Sequence, residues 1–215
     1  MRLAKSIKIF LCIVVACVAA ALADYIPTRP HHSYVYDENR LMSAQQVEYF
    51  NQLAEELYRK AGVGLAVALV DDVGISDARA FATETAHKWG IGGKTDEGIL
   101  IFVALKQRRR SVEVGYGAEG YLPDVLVERL QQQYLIPAFR KEKYGEGVLL
   151  LAYGLAQIVA QEKGFTLEVD ATNVPGEEPM TPQGWIFIVV VFWHFYLFST
   201  TLSTKPYATA SAASR

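Results

Sequence analysis

The sequence predicts an α/β fold: a single three-layer α/β/α sandwich with a small mixed sheet, followed by one C-terminal transmembrane helix. Two short, continuous apolar runs, 63–70 and 99–105, are typical of strands that are buried on both faces. A helical pattern separates them, so a βαβ unit with parallel strands is expected. Segment 110–115 alternates in polarity and predicts a third strand, which forms a hairpin with the second and makes the sheet mixed.

Apolar residues at helical spacing, flanked by residues that begin or end helices, predict the helical layers. The predicted helices span about 43–60, 76–89, 124–139 and 144–163. Their predicted N-caps are Ser43 with Gln46 in a capping box, Ser76 for the second helix and Asp124 for the third. Gly62 is expected to end the first helix, and Pro137 to interrupt the third.

Residues 1–23 have the layout of a secretory signal peptide, with a basic start, an apolar run and small residues at the end. Cleavage after Ala23 is expected, and an uncleaved N-terminal anchor is the alternative. Both interpretations place the body of the protein outside the cytoplasm. Cys12 and Cys17, the two cysteines of the chain, lie in this segment, so the mature chain has neither a disulfide nor a thiol nucleophile.

The 18 apolar residues 185–202 would span about 27 Å as a helix, which is just enough to cross a bilayer. The tail that follows, 203–215, carries Lys205 and Arg215 and is predicted to be cytoplasmic by the positive-inside rule. The sequence therefore predicts a single-pass membrane protein whose domain is exported to a periplasm, a cell exterior or an organelle lumen. The remaining segments are an extended lead-in, 24–33, a folded domain, 34–163, and a linker, 164–184.

Charge and motifs exclude several classes of protein. The formal net charge is −2 and no long basic run is present, which argues against a nucleic-acid partner. Residues 115–120 match the glycine pattern of dinucleotide sites, but the preceding strand lies in a hairpin, and Pro123 and Asp124 occupy the helix start where a pyrophosphate would bind. A nucleotide cofactor is therefore not expected, and the glycines are assigned to positive backbone angles. No zinc-hydrolase or nucleophile-elbow motif is present.

Acidic residues in the loops are the candidate ligands of a hard cation. We expect these loops to meet at one end of the sheet, where carboxylates suit a divalent ion such as Ca²⁺. The candidate metal ligands are Asp37, Asp96, Glu97, Glu119 and Asp124. The alternative is that Asp124 caps a helix and the other carboxylates are solvated, and the residues alone leave both interpretations open.

Several motifs together resemble the TPM domain family over residues 34–163. They are Tyr36-Asp37, Leu41-Met42-Ser43, Trp89-Gly90-Ile91-Gly92, Asp96-Glu97-Gly98-Ile99-Leu100, 109–117, Leu122-Pro123-Asp124 and Pro137-Ala138-Phe139. The resemblance implies an α/β/α sandwich, a possible phosphatase activity and, in some bacterial members, binding of calcium or other divalent ions. It also implies that Asp37, Asp96 and Asp124, with Glu119 nearby, correspond to the family's loop carboxylates. Glu97 stands where many relatives carry Asn.

Two functions follow from the anchor, the acidic loops and the resemblance. The first is an exported module that binds a divalent cation and supports assembly, maintenance or regulation of a membrane protein complex. The alternative is a metal-dependent phosphomonoesterase of the acid-phosphatase type, in which Asp37, Asp96 and Asp124 hold a cation that activates water. The sequence leaves open whether the protein is catalytic, and it does not identify the partner, substrate, metal or oligomeric state.

Overall fold

The computed structural model describes residues 26–169 and 174–176. The predicted signal peptide, transmembrane segment and cytoplasmic tail lie outside these residues. Within them, no helix combines the length and apolar character that a membrane span requires.

Four strands form one mixed sheet with the order β1-β2-β3-β4. They are β1 Val35–Asp37, β2 Gly64–Val70, β3 Gly98–Ala104 and β4 Arg109–Val114. The first three are parallel, and β4 is antiparallel to β3, as the predicted βαβ unit and hairpin require. Strand β1 was not predicted, because three residues are too few to show the alternation of a strand.

Helices cover both faces of this sheet. They are α1 Ala44–Ala61, α2 Ala78–Trp89, α3 Asp124–Leu130, α4 Ile136–Phe139 and α5 Tyr144–Lys163. A π-helical turn, Gln131–Leu135, joins α3 to α4. The predicted third helix is therefore divided before Pro137, which occupies the first turn of α4.

The predicted capping box of α1 is confirmed. The Ser43 hydroxyl accepts a hydrogen bond from the Gln46 backbone N–H at 3.3 Å, and the Gln46 side chain accepts one from the Ser43 N–H at 2.9 Å. Gly62 ends the helix with a φ of 71°, a left-handed conformation that glycine adopts without a steric penalty.

The two other predicted caps are wrong. Asp77, not Ser76, caps α2, and its carboxylate accepts hydrogen bonds from the backbone N–H groups of Arg79 and Ala80 at 3.0 and 3.1 Å. Asp124 is the first residue of α3 rather than its cap; Pro123 holds the cap position, with no side-chain hydrogen bond. Aspartate is favourable there because it meets the positive end of the helix dipole.

Alternate residues of β2 and β3 enter two separate cores, which explains why both strands are continuously apolar. Leu65, Val67, Ile99 and Ile101 face α1, α3 and α5. Ala66, Ala68, Leu100 and Phe102 face α2, together with Ile26 of the lead-in. Helices therefore pack on both faces of the sheet, as a sandwich requires.

The strand directions define two edges of the sheet. We call the edge where β1, β2 and β3 end the carboxyl edge, and β4 begins there. The opposite edge, where β2 and β3 begin and β4 ends, is the amino edge. Helix α5 ends near the amino edge, because Lys163 lies 2.7 Å from Glu97, which directly precedes β3.

Beyond α5, the chain turns back along α1 and is held by a buried carboxylate. The Glu56 side chain is 3% exposed and accepts hydrogen bonds from Lys60 Nζ at 2.8 Å and from the backbone N–H groups of Glu168 and Val169 at 2.7 and 3.2 Å. Burial pushes the Glu56 pKa upward, but these hydrogen bonds outweigh it and hold the pKa below its ordinary value.

Replacing Glu56 by Gln should lower the free energy of unfolding by about 1–3 kcal/mol at pH 7, because buried donors lose a charged acceptor. A carboxylate with a lowered pKa stabilises the fold above its unfolded-state pKa, and this contribution is lost as pH falls through the folded-state pKa. The variant should therefore lose less stability than wild type between neutral pH and pH values below about 4.5. Urea unfolding at a series of pH values measures both effects.

Glu48→Gln is the matched control, since Glu48 is an exposed residue of the same helix. Equal losses in the two variants would contradict the role assigned to Glu56.

Candidate functional site

The structure separates the five predicted metal ligands. Asp37 ends β1 at the carboxyl edge, whereas Asp96 and Glu97 precede β3 at the amino edge. Glu119 and Asp124 follow β4, on the chain that leaves the amino edge. The loop at Asp37 therefore does not approach the others, because β1 runs parallel to β2 and β3 and places its last residue at the far end of the sheet.

Asp37 has a structural partner instead. Its Oδ2 accepts a hydrogen bond from the Met42 backbone N–H at 2.7 Å, which fixes the turn between β1 and α1. Its Oδ1 is buried and has no hydrogen-bond partner among the described residues. This carboxylate shapes the entry into α1.

Two further candidates lie beside cations of the protein itself. Glu97 pairs with Lys163 of α5 at 2.7 Å. Asp124 is 89% exposed on its side chain and lies 3.9 Å from Arg79. In the part of the chain that the structure describes, no three His, Cys, Asp or Glu side chains are grouped to hold a metal ion. The five residues therefore do not converge on one cation site.

Asp96 organises the amino edge. Its backbone is left-handed, with a φ of 53°. Its Oδ2 accepts a hydrogen bond from the Tyr116 N–H at 3.1 Å, and its carbonyl oxygen accepts one from the Gly117 N–H at 3.1 Å. The Gly115 N–H donates to the carbonyl oxygen of Gly98 at 2.7 Å. The turn after β4 is thus bound to the loop before β3.

The glycines of this turn are needed for close approach. A methyl group on Gly115 would collide with the Asp96 carbonyl oxygen, and one on Gly117 would collide with that of Thr95. Gly115, Gly117 and Gly120 do not have positive φ angles. The prediction that these glycines serve positive backbone angles is therefore wrong; they allow two loops to touch.

A cleft of about 360 Å³ opens between α2 and this turn. The side chains that give it its chemistry are those of Thr83, His87, Asp96, Glu113 and Tyr116. The Glu113 carboxylate accepts hydrogen bonds from the hydroxyls of Thr83, at 2.7 Å, and Ser111. Tyr116 is 80% exposed at the rim.

Acceptors dominate this cleft. Asp96 and Glu113 bring two carboxylates, and no Lys or Arg lies among the described residues that line it. Each Glu113 oxygen accepts a hydrogen bond from one of the two hydroxyls, which holds this carboxylate in place at the cleft. Two carboxylates without a neighbouring Lys or Arg suit binding of a cationic or donor-rich group.

A larger cavity of about 750 Å³ lies along the outer face of α1. Its polar side chains are engaged with one another. The Tyr34 hydroxyl donates to Glu55 at 2.6 Å, which raises the pKa of Tyr34 to about 12, and Asn51 accepts from the Tyr34 N–H at 2.8 Å. These contacts hold the lead-in against α1. The polar groups of this cavity therefore serve the fold, and we do not assign a binding site to it.

The model of the TPM domain matches residues 35–158 of this chain. The chain belongs to the TPM domain family. The N-terminal domain of a protein from P. gingivalis, solved by solution NMR, is similar at 31% identity over 64% of this chain and 88% of that one, with a TM-score of 0.58. The BA42 protein of the psychrophilic bacterium Bizionia argentinensis is 14% identical over 67% of this chain and 96% of that one, with a TM-score of 0.51, and shares the fold. No curated protein matches the chain.

Of the five cleft side chains, the sequence predicted only Asp96 as a site residue. A signal was present for three of the other four. Thr83 and His87 are four residues apart on α2, and Glu113 alternates with apolar residues in β4. Ser111 and Glu113 thus face α2, while Val112 and Val114 pack on the opposite core. Tyr116 could not be distinguished from other tyrosines until the turn was seen.

Gly115→Ala should lower the free energy of unfolding by about 1–3 kcal/mol, because the added methyl group forces apart the two loops at the amino edge. Gly120→Ala is the matched control, since a methyl group there meets open space. Its effect should stay within about 0.5 kcal/mol. Urea unfolding measures both, and equal stabilities would contradict the contact between the loops.

Proposed function

We propose that this chain is a membrane-anchored, exported TPM-domain module whose amino-edge cleft binds a basic segment of a membrane protein complex. By holding that segment, it supports assembly, maintenance or regulation of the complex. The observation that carries the proposal is the acidic cleft with an exposed, positioned tyrosine at its rim.

Tyr116 has the properties of a binding anchor. Its backbone N–H is fixed by Asp96, and its neighbour Gly117 is fixed by the Asp96 carbonyl oxygen. The backbone that carries this side chain is therefore constrained before a partner binds, which reduces the ordering that binding requires. Tyrosines of this kind are frequent hot spots of protein interfaces.

The carboxylates set the chemistry of the partner. Asp96 is exposed beside Tyr116, and Glu113 lies deeper in the cleft. A Lys or Arg side chain entering the cleft would meet both negative charges and the tyrosine ring, which also attracts cations. A basic segment is thus the complementary partner.

The membrane anchor is supported by the sequence at both ends of the chain. The signal peptide predicted over 1–23 and the span predicted over 185–202 together place the domain outside the cytoplasm, with the tail inside. A module tethered in this way meets membrane proteins at high effective concentration.

The phosphomonoesterase alternative receives no such support. Metal-assisted hydrolysis requires carboxylates that share a cation beside the phosphate. Asp37 lies at the opposite edge of the sheet, Glu97 pairs with Lys163, and Asp124 lies beside Arg79. No catalytic step follows from this arrangement.

Capture of the partner complex tests the proposal. The full-length chain, added to detergent-solubilised native membranes and crosslinked, should recover one membrane protein complex. Tyr116→Ala should reduce its affinity about tenfold or more, because an anchor residue is removed from the interface. Asp96→Asn should also weaken capture, since it removes the charge while keeping an acceptor for the Tyr116 N–H.

Tyr58→Ala is the matched control, because Tyr58 is a 60% exposed tyrosine on α1, away from the cleft. Recovery of the same complex by wild type and Tyr58→Ala, with loss in Tyr116→Ala, is the expected pattern. Equal recovery by all three chains would contradict the cleft as the binding site.

Calcium binding stays a prediction for three residues, Asp96, Glu119 and Asp124. These carboxylates are not gathered in the structure, so binding would include loop closure and should be weak, in the range of about 10⁻⁴–10⁻³ M found for extracellular modules. Millimolar Ca²⁺ should raise the Tm of wild type and of Asp37→Asn, but not of the Asp96→Asn, Asp124→Asn double variant. A Ca²⁺ effect that survives in the double variant would exclude these ligands.

A further inference from the structure

A third cavity, of about 460 Å³, lies at the carboxyl edge of the sheet. It opens between the β3–β4 hairpin turn and the chain that leads from α4 to α5. Four arginines line it: Arg108, Arg109 and Arg110 from the hairpin, and Arg140 from the end of α4. We call it the arginine pocket.

Most of its positive charge is uncompensated. Arg110 pairs with Glu128 at 3.0 Å, and its Nε is buried with no hydrogen-bond partner in the described residues. Arg108, Arg109 and Arg140 form no ion pair within 26–169 or 174–176, and Glu142 is the one carboxylate among the described lining residues. Three unpaired guanidinium groups face one carboxylate, so the pocket has an excess of positive charge. A phosphate group would neutralise this excess.

The walls of the pocket are apolar and its turns are constrained. Ile136, Phe139 and Tyr144 lie beside the arginines, and the Phe139 and Tyr144 rings stack edge to face at 5.0 Å. Arg108 and Glu142 adopt left-handed backbone angles, with φ of 51° and 61°. The turn at Arg108 would be relaxed by glycine, yet the chain carries an arginine there.

The described chain ends on the same edge of the sheet. The Pro175 carbonyl oxygen accepts a hydrogen bond from Gln46 at 3.0 Å, in the first turn of α1. The Gln46 side chain also contacts Gly145, which follows the pocket residue Tyr144. The predicted membrane span begins at 185, nine residues beyond Gly176 in the sequence.

We propose that the arginine pocket binds the phosphate of an anionic phospholipid headgroup and docks the carboxyl edge onto the membrane. This inference rests on the membrane anchor of the proposed function. The arginines complement the phosphate, and the apolar walls accommodate the adjoining glycerol and upper acyl carbons. Ile75, which is 90% exposed in the segment after β2, lies at the same edge and adds an apolar contact.

Hydrogen exchange of the full-length chain in bilayer discs tests the inference. Discs of phosphatidylcholine alone are compared with discs that also contain phosphatidylglycerol. In the anionic discs, amides of 105–110 and 139–144 should exchange more slowly than in neutral discs. Arg→Gln substitution of Arg108, Arg109 and Arg140 should reduce this protection about fivefold for each arginine removed.

The control variant also loses three positive charges, but away from the pocket, through Arg79→Gln, Lys94→Gln and Arg129→Gln. In anionic discs, its pocket amides should stay protected as in wild type. Arg108→Gly separates binding from folding: the relaxed turn should raise the Tm by about 2 °C while protection falls. A fall in Tm together with lost protection would mean that Arg108 is only structural, and would overturn its assignment to the headgroup.

Two outcomes overturn this inference without affecting the proposed function. In the first, the chain enters both kinds of disc, and the pocket amides exchange equally fast in both. In the second, inorganic phosphate added to neutral discs protects the pocket amides as strongly as the anionic discs do. The second would assign the pocket to a soluble phosphate. A chain that fails to enter either disc overturns the anchor and the headgroup assignment together. Failure of partner capture at Tyr116, with the lipid effect intact, would leave this inference standing and contradict the cleft.

Discussion

The pairing of β3 with β4 is the constraint on which both polar sites depend. Strand β3 is buried along its whole length and pairs on its other side with β2, so its position is fixed by two cores. The antiparallel register opposes Ile99 to Val114 and Ala104 to Arg109. This register brings Gly115 against the Asp96 loop at the amino edge. It also places the arginines at the start of β4 at the carboxyl edge. A slip of one residue would turn Glu113 toward the apolar core and displace both sites together.

The sites at the two edges consequently differ in charge, although the formal net charge of the whole protein is only −2. At the amino edge, Asp96 and Glu113 line a cleft without basic side chains among its described residues. At the carboxyl edge, the pocket is lined by Arg108, Arg109 and Arg140. Glu142 is the one carboxylate among the described residues that line this pocket. The net charge therefore conceals two sites whose charged side chains are of opposite sign.

Local patterns in the sequence were sufficient for most of the fold. Continuous apolar runs predicted β2 and β3, and the capping box at Ser43 predicted where α1 begins. The cap of α2 was misplaced by one residue because Ser76 and Asp77 are both good caps, and only backbone geometry decides between them. The sites could not be assembled in the same way, because the parallel alignment of β1 and the contact between the two amino-edge loops depend on tertiary packing. Arg140 lies 30 positions after Arg110 in the sequence, so no local pattern reveals that it lines the same pocket as the hairpin arginines.

Placing the two sites at opposite edges has a geometric consequence for the proposed module. Strand β3 has seven residues and extends about 23 Å, so the cleft lies roughly that far from the arginine pocket. If the pocket rests on lipid headgroups, the cleft opens toward the aqueous side, and Tyr116 is presented at this height above the bilayer. A partner that reaches it must project a basic segment beyond its own membrane region. Under these two proposals, the sandwich would act as a spacer that selects partners by their height above the bilayer as well as by their charge.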